Sequence, residues 1–191
     1  MVVNNFSSLS SVPYVIIQYL AEHNDKLFKL LKYPQSDALS KPNLTIDEKM
    51  DMVYVDEDKQ ITKNIFFKPL VGDEEISAVT QMRLYQFNIS PSNVLNAIIS
   101  YKMDIITGDK ISLVYNEDGI PCPRITMIEE ELLNTLNGKD IFGVGCFQFT
   151  RDLSTSDKAN FTLSNSKGFF GDSLVMSVRW VKNSDGKGEC D

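Results

Sequence analysis

The clearest pattern in the chain is a period-2 alternation in which Ile99, Tyr101, Met103 and Ile105 are separated by Ser100, Lys102 and Asp104. Successive side chains of a strand point to opposite faces, so this spacing predicts a strand with one buried face. Downstream, Ile125, Ile128, Leu132 and Leu136 recur at helical spacing, and Glu129, Glu130 and Glu131 are expected mostly on the solvent side. Asn137-Gly138 predicts the helix end, because glycine enters the left-handed cap conformation without steric penalty. Ile141 to Phe149 then reads as a strand entered through Gly143 and Gly145. Leu174, Met176, Val178 and Trp180 alternate with Val175, Ser177, Arg179 and Val181 and predict the last strand.

Nearer the N-terminus, Ser11 is placed to cap a helix, and Pro13 falls in the first turn, where its missing N–H costs nothing. Ile16, Ile17 and Leu20 share one face of that helix. His23-Asn24-Asp25 interrupts the pattern, and Leu27, Phe28, Leu30 and Leu31 resume it in a second short helix ending near Tyr33-Pro34. Thr45-Ile-Asp-Glu48 matches a capping box, which predicts a short helix reaching about Val55. Ile65-Phe66-Phe67 reads as a short strand stopped by Pro69. Met82 to Ile89 reads as a strand with Met82 and Leu84 on one face and Tyr85, Phe87 and Ile89 on the other. A strand apolar on both faces belongs in the middle of a sheet or beneath a neighbouring subunit. Turn signals surround a short apolar run from Ile111 to Tyr115, and Phe161 to Ser164 predicts another short strand. The fold class expected is α+β: a largely antiparallel β-sheet of about five strands flanked by helices, with N-terminal helices and one long inserted helix. One domain spans residues 11–182, between a flexible arm, 1–10, and a flexible tail, 183–191.

Composition narrows the function classes. No apolar run reaches the roughly 18–20 residues of a membrane span, and no basic-then-apolar leader opens the chain, so no membrane partner is expected. A net charge of -7 argues against gripping nucleic acid, which requires clustered cations. Cys122, Cys146 and Cys190 are widely spaced and odd in number, which suits neither a disulfide framework nor a zinc site, and Cys146 reads as a small apolar group among aromatics. His23, the single histidine, has no partner that spacing can place beside it, so a structural or solvent-exposed position is expected. Gly143-Val-Gly145 lacks the third glycine of a dinucleotide loop, and Thr107-Gly-Asp-Lys110 lacks phosphate-loop spacing. The loops Asp56-Glu57-Asp58 and Asp73-Glu74-Glu75 do not follow a calcium-loop pattern and read as solvated. No catalytic, cofactor-binding or metal-binding residue is expected, and the chain is not expected to be an enzyme.

The order of certain segments resembles the neck proteins of tailed bacteriophages, of the tail-to-head joining or tail-terminator family. Those segments are Leu27-Phe-Lys-Leu-Leu-Lys-Tyr33, Asp37-Ala-Leu39, Lys63-Asn-Ile-Phe-Phe67 with its proline, and Tyr101-Lys-Met-Asp-Ile-Ile106. Arg124 opening a helix that ends in Leu133-Asn-Thr-Leu-Asn-Gly138, then Gly143-Val-Gly-Cys-Phe-Gln-Phe149, complete the series. Gly108 to Tyr115 departs from the family's pattern. The resemblance implies a structural virion protein, made in the host cytoplasm, that forms a homo-oligomeric ring, expected to be a hexamer. The ring would join the portal and adaptor proteins to the tail tube protein and let DNA pass without specific binding. Under that implication Arg83, Tyr85 and Phe87 are candidate subunit-interface residues, and Asp56, Glu57, Asp58, Asp73, Glu74 and Glu75 are candidates for an acidic lumen that repels phosphates. The alternatives are a terminator capping the tail tube, a small intracellular ligand-binding module or enzyme, and an assembly factor absent from finished particles.

Overall fold

The computed structural model describes residues 9–55, 63–69, 80–92, 96–149, 160–162 and 168–181. The expected arm and tail and both acidic loops lie outside the described residues, apart from Leu9 and Ser10 in a short 3-10 turn, Leu9–Ser11. The helix α1 (Val12–His23) carries proline in its first turn, as expected, and α2 (Asp25–Lys32) comes after one extended residue, Asn24. That residue explains the interruption. Its Oδ1 accepts from the Leu27 N–H at 2.8 Å and caps α2. Its Nδ2 donates to the Glu131 main-chain oxygen, the Glu131 carboxylate and Thr135 Oγ1, at 3.2, 3.0 and 2.7 Å. A polar residue breaks the helical pattern because it ties the helix junction to a third helix.

The capping box is present. Thr45 Oγ1 accepts from the Glu48 N–H, and the Glu48 carboxylate accepts from the Thr45 N–H, at the start of α3 (Ile46–Met50). This helix stops short of Val55 because Val53 turns to form a parallel bridge with Ile65 at the sheet edge.

The strands are β1 (Ile65–Phe66), β2 (Gln81–Pro91), β3 (Asn96–Gly108), β4 (Leu113–Tyr115) and β5 (Pro121–Pro123). The long helix α4 (Arg124–Leu136) leads into β6 (Lys139–Asp140), β7 (Cys146–Phe149), β8 (Asn160–Thr162) and β9 (Phe169–Val181). The architecture is α+β. Its main sheet has seven strands in the order β1-β2-β3-β9-β7-β6, with β8 also on β9, and β4 and β5 form a separate hairpin. Among the strands of the described residues only β1 and β2 pair in parallel. The count exceeds five because β1 and β6 are two-residue strands and because β7 and β8 share one edge of β9.

The alternation in β3 is borne out. Ile99, Tyr101, Met103 and Ile105 are wholly buried beneath helices, and Met82, Leu84, Met176 and Val178 join them from the flanking strands. From the other layer come Ile16, Leu20, Leu30, Ile128 and Leu132. Each such side chain contributes about 1.5–3 kcal/mol on burial, so the helical layer on this one face accounts for most of the cohesion. Tyr101 carries its hydroxyl into this apolar layer, where Oη has no hydrogen-bond partner among the described residues and burial raises its pKa.

Two local readings are corrected. A bulge in β2 between Gln86 and Asn88 changes the register, so Ile89 pairs with Ile99 and returns to the helical side instead of sharing a face with Tyr85 and Phe87. Ile141 to Phe149 is not one strand. Residues 141–145 form a turn between β6 and β7, in which Phe142 has φ 48° and Gly145 has φ 126°. A Cβ at Gly145 would lie 2.9 Å from Val178 Cγ2 and 3.2 Å from the Arg179 oxygen, so only glycine fits both the dihedral and the space.

Candidate interface surfaces

With α1 and α4 packed on one side of the sheet, the other side of β2, β3 and β9 presents Tyr85, Phe87, Ile98, Ser100, Lys102, Val175, Ser177 and Arg179. Polar side chains on this face bond to one another. The Tyr85 hydroxyl and Ser173 Oγ donate to the buried Asp104 carboxylate at 2.9 and 2.6 Å, and Lys102 Nζ lies 3.7 Å away. Ser100 and Ser177 Oγ are 2.9 Å apart across the β3–β9 pair. A carboxylate removed from water needs such donors, and here they hold the strands in one register. Phe87, at the bulge, lies on the same face as Tyr85, where it is 41% exposed with Lys102 Nζ 5.9 Å from its ring centroid. Ile98 is 46% exposed.

The three residues expected at an interface therefore share this face but differ in access. Arg83 is buried within the chain, its Nη1 donating to the Pro69 oxygen at 3.1 Å. Tyr85 is half-buried through its bond to Asp104, and Phe87 reaches solvent. A buried guanidinium that already serves its own loop is poorly placed as a contact residue. Phe87 is well placed.

A second apolar surface was not expected. In the β4–β5 hairpin Leu113 pairs with Pro123, and Tyr115 with Pro121. These four residues share one exposed face, and Val114 on the other face is buried in the core. Leu113, Tyr115 and the adjacent Ile120 are 55, 48 and 55% exposed. The hairpin is anchored by Arg124. Its Nε donates to the Ile111 oxygen at 2.7 Å, Nη1 to the Leu30 and Tyr33 oxygens at 2.7 and 2.8 Å, and Nη2 to the Pro34 and Gln35 oxygens at 3.0 and 2.9 Å. Four of the five carbonyls belong to the C-terminal end of α2 and the residues after it, where the helix dipole is negative and carbonyls lack intrahelical partners. Burial lowers the guanidinium pKa to about 10, so it stays charged at neutral pH.

Comparison with known protein families decides one question. A family model described as YomW matches residues 24–178. The chain belongs to the YomW family. Comparison with curated proteins gives no match. The matched span of this YomW-family chain runs from the Asn24 cap through the hairpin to Val178, so both exposed surfaces lie almost entirely within it.

Of the other sequence candidates, Asp56 to Asp58 and Asp73 to Glu75 lie outside the described residues. The expectation that Glu129, Glu130 and Glu131 face mostly water holds only for Glu130. Glu131 accepts from Asn24, and Glu129 is half-buried against Asp172 of β9. Burial first, and then the charge and hydrogen bond of Asp172, raise the Glu129 carboxyl to about 7. The helical spacing could not reveal that a strand carboxylate would face it. His23 stacks on Tyr19 at 4.2 Å, with Nδ1 2.8 Å from the Tyr19 oxygen. Cys146, expected as a buried apolar group, is half-buried and disulfide-bonded, and Cys122 is free. Among the described residues no group of three or more His, Cys, Asp or Glu is placed to hold a metal ion, and no helix is long and apolar enough to cross a membrane.

Proposed function

We propose that this chain is a structural virion protein that forms a homo-oligomeric ring in the neck of a tailed bacteriophage. It joins the portal and adaptor complex to the tail and lets DNA pass. The observation that carries the reading is a two-layer subunit whose sheet is covered by helices on one side and leaves Phe87 and Ile98 exposed on the other. Phe87 and Ile98, exposed on an otherwise polar face, would lose that exposure against a neighbouring subunit. The family supports a phage setting, since its name is of the type given to Bacillus prophage proteins.

The test is genetic and visual. Deleting the gene in a particle-producing phage should give filled heads and separate tails of normal length, with the protein absent from both. Tails of uncontrolled length would instead favour the alternative, a terminator capping the tube. Normal infectious particles that never contained the protein would overturn both readings.

A further inference from the structure

The cysteines differ in chemical state. Cys122 on β5 is a free thiol, whereas Cys146, the first residue of β7, is disulfide-bonded. The chain holds one further cysteine, Cys190, which lies outside the described residues. Elimination leaves Cys190 as the one residue of this chain that can supply the other half of the bond.

The place of Cys146 in the sheet puts that pairing within easy reach. β7 runs antiparallel to β9 with Phe147 opposite Val178, and a Cβ at Gly145 would lie 3.2 Å from the Arg179 oxygen. Cys146 therefore sits beside the last residues of β9, which ends at Val181. Residues 182–189 separate that end from Cys190, and an extended stretch of this length reaches roughly 26–29 Å. Returning to a neighbouring strand takes only part of that reach.

The bond is not what holds β7 in place. Phe147 is wholly buried, and the backbone of β7 pairs with β6 on one side and β9 on the other. Opening the bond therefore releases the chain beyond β9 and leaves the sheet intact. Cys146 is half-buried, not enclosed in the core, as exchange with a small thiol requires.

We propose that Cys146 and Cys190 form a redox latch, which ties the C-terminus to the start of β7 when oxidised and frees it when reduced. Closure is a thiol–disulfide exchange. The two thiols give up two protons and two electrons, and one molecule of a small disulfide such as oxidised glutathione takes them up as two thiols. In a compartment kept reducing by glutathione the latch is open, and on passage to an oxidising one it closes. It works within a single copy and does not depend on ring formation.

The experiment uses the full chain, wild type and Cys190→Ser, equilibrated in glutathione buffers from oxidised to reduced. Free thiols are alkylated at low pH-quench, and the protein is digested with trypsin without reductant. Before alkylation, the oxidised wild type should be lighter than the reduced form by about 2 Da, the two hydrogens lost. Its digest should join the peptide Asp140–Arg151 to Gly188–Asp191, with Cys122 alkylated throughout. Reduction should separate the two peptides, and both the reduced wild type and Cys190→Ser should keep the far-ultraviolet circular dichroism spectrum of the oxidised chain. A link to Cys122, or one joining the Asp140–Arg151 peptides of two copies, would overturn the pairing. So would Cys146 and Cys190 thiols that stay free in oxidised glutathione. Loss of the folded spectrum on reduction would overturn the latch, because the bond would then hold the fold itself. A bond that stays closed in excess reduced glutathione would overturn it too.

Discussion

Replacing Arg124 tests the anchoring of the whole helical layer. The side chain is wholly buried, faces no carboxylate in its hydrogen bonds, and donates five bonds to main-chain oxygens. Arg124→Ala removes every donor and leaves the oxygens of Leu30, Tyr33, Pro34, Gln35 and Ile111 around a cavity. Orphaned buried polar groups cost about 1–3 kcal/mol each, but water entering the cavity will satisfy some of them, so the net loss should be about 3–5 kcal/mol. Arg124→Lys is the more discriminating change. Lysine keeps the charge but presents three donors at one point, and cannot span from Ile111 to the Leu30–Gln35 carbonyls as the planar fork does. It should cost about 2–3 kcal/mol. Urea unfolding monitored by circular dichroism reads both values as a shift in midpoint at unchanged slope. Limited proteolysis should find the 112–123 segment cut earlier in both variants. A lysine variant with wild-type midpoint and wild-type resistance to cleavage would refute the idea that the fork geometry, and not only the charge, holds hairpin and helix together.

Three further predictions rest on single residues. Glu129 has a folded pKa of about 7, above its ordinary value, so the folded chain binds more protons than the unfolded chain between about pH 4.5 and 7, and stability falls as pH rises through that window. Glu129→Gln should remove on the order of 1–2 kcal/mol of that decline, a figure reduced for solvent screening at a half-buried site; parallel pH–stability curves for variant and wild type would contradict the assignment. Gly145→Ala, forced into a left-handed dihedral 2.9 Å from Val178 Cγ2, should cost about 1–3 kcal/mol in the same urea assay, and a neutral result would mean the turn relaxes freely. Tyr101→Phe should be neutral or stabilising by up to about 1–2 kcal/mol, because the buried hydroxyl has no partner to lose among the described residues; a clear loss would reveal one, such as an ordered water.

The elements that periodicity could reach were legible. The alternation through Ile99 to Ile105 marked the central strand and its buried face, and Ile125 to Leu136 marked the helix that covers it. Thr45 and Glu48 marked a cap with its mechanism. Features that depend on contacts between distant segments were not legible. Nothing local shows that Arg124 reaches the carbonyls of residues 30 to 35, or that Glu129 meets Asp172. Arg83, Tyr85 and Phe87 alternate as one exposed face in sequence, but Arg83 is drawn inward by the Pro69 carbonyl, and the bulge at Phe87 resets the facing of Asn88 and Ile89. The hairpin surface left one readable sign: Ile120-Pro-Cys-Pro123 sets apolar and N–H-free positions opposite Leu113-Val-Tyr115. Both halves are short, so their pairing is a tertiary fact.

Subunit association is the property on which the functional reading most depends. Native mass spectrometry of the full chain, from micromolar to several hundred micromolar, tests it most directly. One closed homo-oligomer, six-fold by the resemblance, is predicted to grow in with concentration. A monomer or dimer at every concentration would contradict it.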